Sequence, residues 1–278
     1  MFYLLLTILG GAMVSILMRL SEGKIKNSIG MLEANYIACF VVSAANAGLG
    51  NLFPNEPGIE RTQLLGFITG VLFLACYLVF QTSVRRNGVV LSSAFSKLGL
   101  TVSIVMSIVF FGEKPTVLQT IGFILAIGAI FLMNYQKEAT QSGLNIGLIL
   151  VLLFGGTSDA MAKVFEELGT ASQEPQYLFY TFLVALILCT ALMFYKKQRL
   201  GWWELLFGVL IAIPNFVSTR FMISTLAVIP AVIAYPAFSV GTILVVTMAG
   251  VLFFHERLSK RQWIGIGIIL VALVLLNV

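Results

Sequence analysis

An all-α membrane bundle of ten transmembrane helices, built as two inverted five-helix repeats, is the fold class this sequence predicts. Three features carry it: hydropathy, the punctuation between apolar runs, and an internal repeat. Of 278 residues, 59% are hydrophobic and 10% charged, whereas soluble domains carry about 45–50% apolar and roughly 25% charged residues. With a mean hydropathy of +1.00 and apolar runs of about 20 residues, each able to cross a roughly 30 Å hydrocarbon core, the chain reads as polytopic. No length is left for a separate globular domain.

Turn residues and charges divide the chain into expected spans over 2–20, 30–49, 64–82, 89–111, 117–134, 146–168, 176–195, 204–226, 230–254 and 262–278. Odd-numbered loops hold Lys24, Lys26, Arg85, Arg86, Lys137, Lys196, Lys197, Arg199, Arg257, Lys260 and Arg261, against Arg61 and Lys114 in the even ones. Basic residues are retained on the cytoplasmic side, which predicts a multi-pass inner-membrane protein with odd loops inside and both termini outside. Tyr36, Tyr135, Tyr177, Trp202, Trp203 and Trp263 fall near span ends, as interfacial anchors do. Met1 leads straight into an apolar stretch without a basic n-region, so the first segment is expected to be a retained span.

Residues 89–134 align with 232–277 at a constant offset of 143. The match includes Ala94-Phe95-Ser96 with Ala237-Phe238-Ser239, Phe110-Phe111 with Phe253-Phe254, Glu113 with Glu256, Gln119 with Gln262 and Ala129 with Ala272. It amounts to 14 identities in 46 positions, where apolar helices would share about five by chance. Gly10-Gly11 meets Gly155-Gly156 at an offset of 145. The expected division is therefore a first repeat over 1–138 and a second over 139–278. Five spans per repeat make the second copy insert upside down, the arrangement by which secondary transporters open a midplane site to alternate sides. Some channels share such symmetry.

The pattern resembles the drug/metabolite transporter superfamily, in particular its EamA-type ten-helix members, over essentially the whole chain. The residues that carry the resemblance are Gly112-Glu113-Lys114 and His255-Glu256-Arg257-Leu258-Ser259, each between two helices, and the proline of Tyr235-Pro236-Ala237-Phe238. His255 stands where the family usually has Gly, and Ser93 stands at the position equivalent to Pro236. Gly10-Gly11 replaces the Trp-Gly pair of many members, which removes an aromatic wall suited to quaternary amines. The resemblance implies transport without fixing the substrate, since the family includes amino-acid exporters, nucleotide-sugar exchangers, cation transporters and lipid-sugar flippases.

Ionisable groups at membrane depth cost about 2.5–3.5 kcal/mol each on the insertion scale and so mark candidate sites. Lys97, flanked by Ser92, Ser93 and Ser96, lies eight residues into the fourth span, about 12 Å deep. It is the first candidate for a carboxylate or phosphate; pairing with a buried acid is its structural alternative. Asp159 has Lys163 four residues on, a spacing that puts acid and base on one face as a self-neutralising pair, a substrate-amine site or a proton acceptor. Arg220 follows Pro214-Asn215 in the eighth span, aligns with Tyr77 of the other repeat, and either binds substrate or snorkels. Pro214 predicts a kinked or unwound turn presenting Asn215 to a cavity. Glu33 is expected to cap its helix or sit at the interface, and is a second candidate for the coupling ion. Tyr235, Tyr180 and Phe95 are candidate pocket walls or core. Gly66-xxx-Gly70 and Gly122-xxx-Ala126 read as packing seams.

Cys39, Cys76 and Cys189 lack metal-site or disulfide spacing, and no catalytic motif, nucleotide-binding loop or basic nucleic-acid stripe appears. Neither an enzyme nor a cofactor is expected. The expected partners are a small-molecule substrate, membrane lipid and a coupling proton or sodium ion, not nucleic acid. The function expected is secondary active transport of a small polar or zwitterionic metabolite, amino-acid-like first and a small organic anion next. The alternatives are a flippase for a lipid-linked head group or an exporter of small organic cations and drugs.

Overall fold

A computed structural model of the chain describes residues 1–87, 92, 95–96, 98–134, 146–254 and 260–276. Among them are ten α-helices: α1 Phe2–Ser21, α2 Ser28–Ala47, α3 Ile59–Asn87, α4 Leu100–Phe111, α5 Val117–Asn134, α6 Ile146–Leu168, α7 Glu174–Tyr195, α8 Trp202–Leu226, α9 Ala231–Phe254 and α10 Lys260–Leu276. A 3₁₀ turn, Ala171–Gln173, leads into α7. Seven helices are long and apolar enough to cross a membrane, and shorter apolar stretches occupy α4, α5 and α10. The protein is thus a helical multi-pass membrane protein. Helix α3 runs several residues beyond the expected 64–82 at each end. Its first turn is held from outside: Arg61 donates to the Leu168 carbonyl (3.2 Å) and Thr62 Oγ1 to Gln173 Oε1 (2.7 Å), which stabilises helix outside the apolar run.

The chain folds into two compact units, Met1–Leu74 with Val164–Thr225, and Ala75–Lys163 with Leu226–Val278. Each draws helices from both halves of the sequence. In the first unit the second helices of the two repeats, α2 and α7, pack against each other; in the second unit the fourth helices, α4 and α9, do so, as do the fifth, α5 and α10.

Small residues make the approach close, as expected where lipid removes the hydrophobic incentive for helices to associate. In the first unit, a methyl group on Gly66 would lie 2.7 Å from Tyr180 Cβ, and one on Gly70 would lie 2.6 Å from the Thr181 carbonyl oxygen, so this glycine pair is a seam between α3 and α7. Gly10 of α1 meets the Pro214 carbonyl and Ser218 of α8 in the same way. In the second unit the seam is alanine: Ala126, Ala129 and Ala272, with Val240 of α9, form one buried cluster backed by Leu125, Ile243, Leu244 and Ile268. Ala129 and Ala272 are the repeat-matched pair.

Loops meet by parity. In the first unit, Lys24 of the α1–α2 loop lies over the Trp203 and Phe207 rings of α8, each at 5.5 Å, and Asn27 Nδ2 donates to the Arg199 carbonyl of the α7–α8 loop. At the other end of that unit the Pro-rich α2–α3 loop meets the start of α7: Gln173 Nε2 donates to the Pro57 carbonyl (3.1 Å), Gln176 Nε2 to Asn51 (3.1 Å) and Tyr180 Oη to Leu52 (2.7 Å). Tyr180 is therefore a loop anchor and core residue.

Candidate functional site

Lys97 and Ser93 lie outside the described residues; each other candidate is placed in one unit or the other. In the first unit the polar groups belong to α2, α7 and α8. Pro214 lies inside α8, which continues as helix to Leu226, so of the expected kinked or unwound turn the unwound form is absent. The polar side chains after it are absorbed locally: Thr219 Oγ1 donates to the Asn215 carbonyl (2.9 Å) and Ser218 Oγ to the Thr7 carbonyl (3.1 Å). Asn215 Nδ2 donates to Asn35 Oδ1 of α2 (3.1 Å), beside Cys39, while Asn35 Nδ2 is buried with no hydrogen-bond partner.

One and a half turns on, Arg220 reaches two side chains that the sequence did not single out. Its Nη1 donates to Asn46 Oδ1 at 2.7 Å, and its Nε lies 3.5 Å from Glu174 Oε1. The guanidinium is neither fully sunk nor free, with 40% of its side chain exposed against 19% for Glu174. The ion pair is loose. Glu174 Oε1 is buried and closes no hydrogen bond, and Asn46 Nδ2 is in the same position. A cation, a carboxylate oxygen and an amide N–H thus converge with bonding capacity unspent. Asn46, at the end of a run of small residues, and Glu174, just ahead of Pro175, read in sequence as helix-end residues. Only the meeting of α2, α7 and α8 joins them to Arg220.

Glu33 does not cap α2. That helix starts at Asn27, whose Oδ1 accepts from the Ile29 N–H (3.1 Å), and the charged cap comes from Glu204 of α8, whose Oε1 accepts from the N–H groups of Lys26 (2.8 Å) and Asn27 (3.1 Å). A carboxylate there opposes the positive end of the helix dipole. Glu33 instead lies inside the α2–α7 contact, 6% exposed, with the Thr190 hydroxyl on Oε1.

In the second unit, Gly112 ends α4 in the left-handed region (φ 69°), a conformation glycine adopts without a Cβ clash. The turn delivers Glu113 to the start of α9, where Oε1 accepts from the Ala231 N–H (2.9 Å) and Oε2 from the Val232 N–H (3.0 Å). The Gly-Glu-Lys motif is thus a helix cap. Lys163, expected to answer Asp159, lies 3.4 Å from Glu113 Oε1 and is buried. One turn earlier on α6, the Asp159 carbonyl accepts from Tyr235 Oη (2.9 Å), and the Asp159 side chain is exposed. Tyr77, in the α3 segment of this unit, accepts from Gln81 Nε2 (3.5 Å). The structure therefore brings Asp159 and Tyr235 together, and Asn215 lies in the first unit beside Asn35.

A helical bundle with glycine and alanine seams, polar groups buried between apolar helices and a twice-used five-helix pattern places the protein in the class of repeat-built membrane proteins to which many secondary transporters belong. Comparison with known proteins narrows this. The EamA-like transporter family matches residues 1–135 and again 141–278, and the chain belongs to that family of drug/metabolite transporters. A Haemophilus influenzae protein is 26% identical over 278 residues, covering 95% of this chain and 93% of its own. A shorter protein of Aeromonas salmonicida, described as a "Probable 4-amino-4-deoxy-L-arabinose-phosphoundecaprenol flippase subunit ArnE", is 33% identical over 105 residues, 34% of this chain and 91% of its own. A solved crystal structure superposes with a TM-score of 0.78 at 12% identity, over 99% of this chain and 96% of that one, which identifies a shared fold.

Proposed function

We propose that the protein is a secondary active transporter that moves a small polar or zwitterionic metabolite, amino-acid-like first and a small organic anion next, across the cytoplasmic membrane by alternating access. The observation that carries this reading is the loose Arg220–Glu174 pair with Asn46, where the end of α2 and the start of α7 meet α8. A purely structural ion pair would close its hydrogen bonds, because unspent polar capacity is costly in buried atoms such as Glu174 Oε1 and Asn46 Nδ2. This one is poised to trade partners: a substrate anion takes Arg220 and the Asn46 N–H, and a substrate ammonium takes Glu174 Oε1. Transport chemistry needs such weak, exchangeable contacts, since a site must release what it binds. The second unit supplies its own candidates, Lys97 and Asp159, which we keep as substrate contacts or a place for the coupling ion.

The test is thermal stability of the purified full-length protein against panels of amino acids, organic anions and organic cations. A ligand at 100 times its dissociation constant stabilises by about 2.7 kcal/mol. A shift with an amino-acid-like solute that disappears in Arg220→Gln and Glu174→Gln, each run beside Lys97→Ala and Asp159→Asn, supports the reading. An equal shift in all four variants overturns the site assignment.

The ArnE-named relatives favour a second reading, a flippase for a lipid-linked head group. An amino sugar on a phosphate carries the same pair of charges, so the lipid decides. Stabilisation by an undecaprenyl-phosphate-linked amino sugar, with none by free amino acids, selects the flippase.

A further inference from the structure

The α1–α2 and α7–α8 loops carry basic residues from the two repeats to one end of the first unit. Asn27 Nδ2 donates to the Arg199 carbonyl (3.3 Å), a contact across 172 positions of sequence, and Glu204 Oε1 accepts from the Lys26 N–H (2.8 Å). Lys24, Lys26, Lys196, Lys197 and Arg199 are all exposed there. Of the acids beside them, Glu204 is buried and occupied by backbone N–H groups, which leaves Glu22 on the surface. None of these basic side chains closes an ion pair among the described residues. At the unit's other end, where Arg61 ties the start of α3 to the Leu168 carbonyl at the end of α6, Glu56, Glu60 and Glu167 are exposed instead.

Two of the cations are held in place. Lys24 Nζ rests over the Trp203 and Phe207 rings, 5.5 Å from each centroid, which fixes the ammonium without giving it an oxygen acceptor. Lys197, with φ 50°, is the one described non-glycine residue in the left-handed region. It sits in the turn that ends α7, where the Lys197 N–H donates to the Phe194 carbonyl (3.1 Å) and the Gln198 N–H to the Met193 carbonyl (3.0 Å). Glycine suits such a turn, so a lysine there keeps its charge at a cost in backbone strain. The cluster also stands at the head of an apolar track. Trp202, Val209 and Ile213 are exposed and, at spacings of seven and four residues, lie on one face of α8. From Trp202 to Ile213 the helix rises about 16 Å, half of a roughly 30 Å hydrocarbon core.

We propose that this end of the first unit is a docking surface for an anionic phospholipid, with the headgroup phosphate among Lys24, Lys197 and Arg199 and an acyl chain along the Trp202–Ile213 face. The surface is complementary at both levels. Lysine and arginine donate charge-assisted hydrogen bonds to phosphate oxygens, tryptophan belongs at the headgroup level, and the track below is as long as one leaflet is deep. The acidic opposite end would repel the same headgroup. This inference does not depend on what the protein transports.

Thermal unfolding of the full-length protein in an uncharged detergent, titrated with phosphatidylglycerol, with phosphatidylcholine and with inorganic phosphate, tests it. A basic residue near a lipid surface is worth about 1 kcal/mol, roughly fivefold in affinity, so phosphatidylglycerol should stabilise the wild type at a concentration roughly tenfold or more below that of phosphatidylcholine. The Lys24→Gln/Arg199→Gln double variant should raise the phosphatidylglycerol midpoint by roughly tenfold or more. Lys197→Gly removes a charge and relieves the left-handed backbone, so it should raise that midpoint about fivefold without lowering the unfolding temperature of the lipid-free protein. This variant decides the matter if the double variant fails to fold. Arg86→Gln removes an exposed cation from an odd-numbered loop of the second unit and should change nothing. An equal loss in Arg86→Gln would make the effect one of general surface charge and overturn the site, as would equal stabilisation by the two lipids. Inorganic phosphate that matches phosphatidylglycerol would reduce the cluster to a simple anion site and overturn the docking surface. A stabilisation that needs no lipid and grows with protein concentration would place a second copy of the chain on this face and overturn it too.

Discussion

The two compact units reach the same end, helices held together in lipid, by different chemistry. The second unit closes α5 on α10 with alanines, Ala126, Ala129 and Ala272, and holds the start of α9 with a carboxylate cap. In the first unit, by contrast, hydrogen bonds run along the α2, α7 and α8 contacts, from Glu33–Thr190 through Asn35–Asn215 to Asn46–Arg220, and several of the atoms involved remain unsatisfied. Apolar seams between small residues are rigid and indifferent to charge, as scaffolds need to be. Polar contacts with spare capacity can be exchanged for a ligand. The contrast sets an apolar α5–α10 seam against a polar α2–α7–α8 contact, the one on which the proposed Arg220 site is built.

The largest expected effect breaks the cap in the second unit. Glu113→Ala removes both acceptors from the start of α9 and the carboxylate from buried Lys163, and removal of one partner of a buried pair typically costs about 3–5 kcal/mol. Thermal unfolding in detergent should show a loss of about 3 kcal/mol, partly recovered when Lys163→Met is added. A loss below about 1 kcal/mol would mean that the Gly-Glu-Lys motif is not a structural cap, and the contrast between the units would fail at that point.

Next is the seam itself. Ala129→Leu inserts extra methylenes where the neighbours leave no room, and overpacking typically costs about 1–3 kcal/mol. The repeat-matched Ala272→Leu should cost a similar amount. Ile124→Leu, on the same helix but 61% exposed, should cost nothing measurable. Equal tolerance at all three positions would show that α5 and α10 are not a rigid support.

Much of this architecture was legible from the chain because hydropathy and repetition are properties of long segments. Helix positions, the matched Ala129–Ala272 pair and the Gly66–Gly70 seam follow from apolar periodicity and residue size alone. The cap function of Glu113 was visible only as a motif, since its partners at Ala231 and Val232 are more than a hundred residues away. That Asn27 and Glu204, rather than Glu33, cap α2 was not legible, because which face of α2 turns toward α7 depends on packing, which no local pattern encodes. The Arg220 cluster was half legible: the charge stood out, but Glu174 and Asn46 resemble ordinary helix ends until three helices meet.

The smallest effects compare two helix starts in the first unit that occupy matching places in the two repeats. At one, Glu204 of α8 accepts from the backbone at the start of α2; at the other, Thr62 of α3 donates to Gln173 beside the start of α7. Both residues of the neutral pair are buried, Thr62 at 0% and Gln173 at 1% exposure. Thr62→Val therefore leaves Gln173 Oε1 without its donor, and an unsatisfied buried acceptor costs about 1–3 kcal/mol. Glu204→Gln keeps an oxygen in place for the Lys26 and Asn27 N–H groups and gives up only the charge opposite the helix dipole, typically worth about 0.3–1 kcal/mol. Thr62→Val should thus lower the unfolding temperature more than Glu204→Gln, although it removes no charge. The reverse order would show that charge at the helix start, rather than satisfied polar atoms, sets the strength of the first unit, and would shift weight in the Arg220 cluster from its unspent bonds to its ion pair.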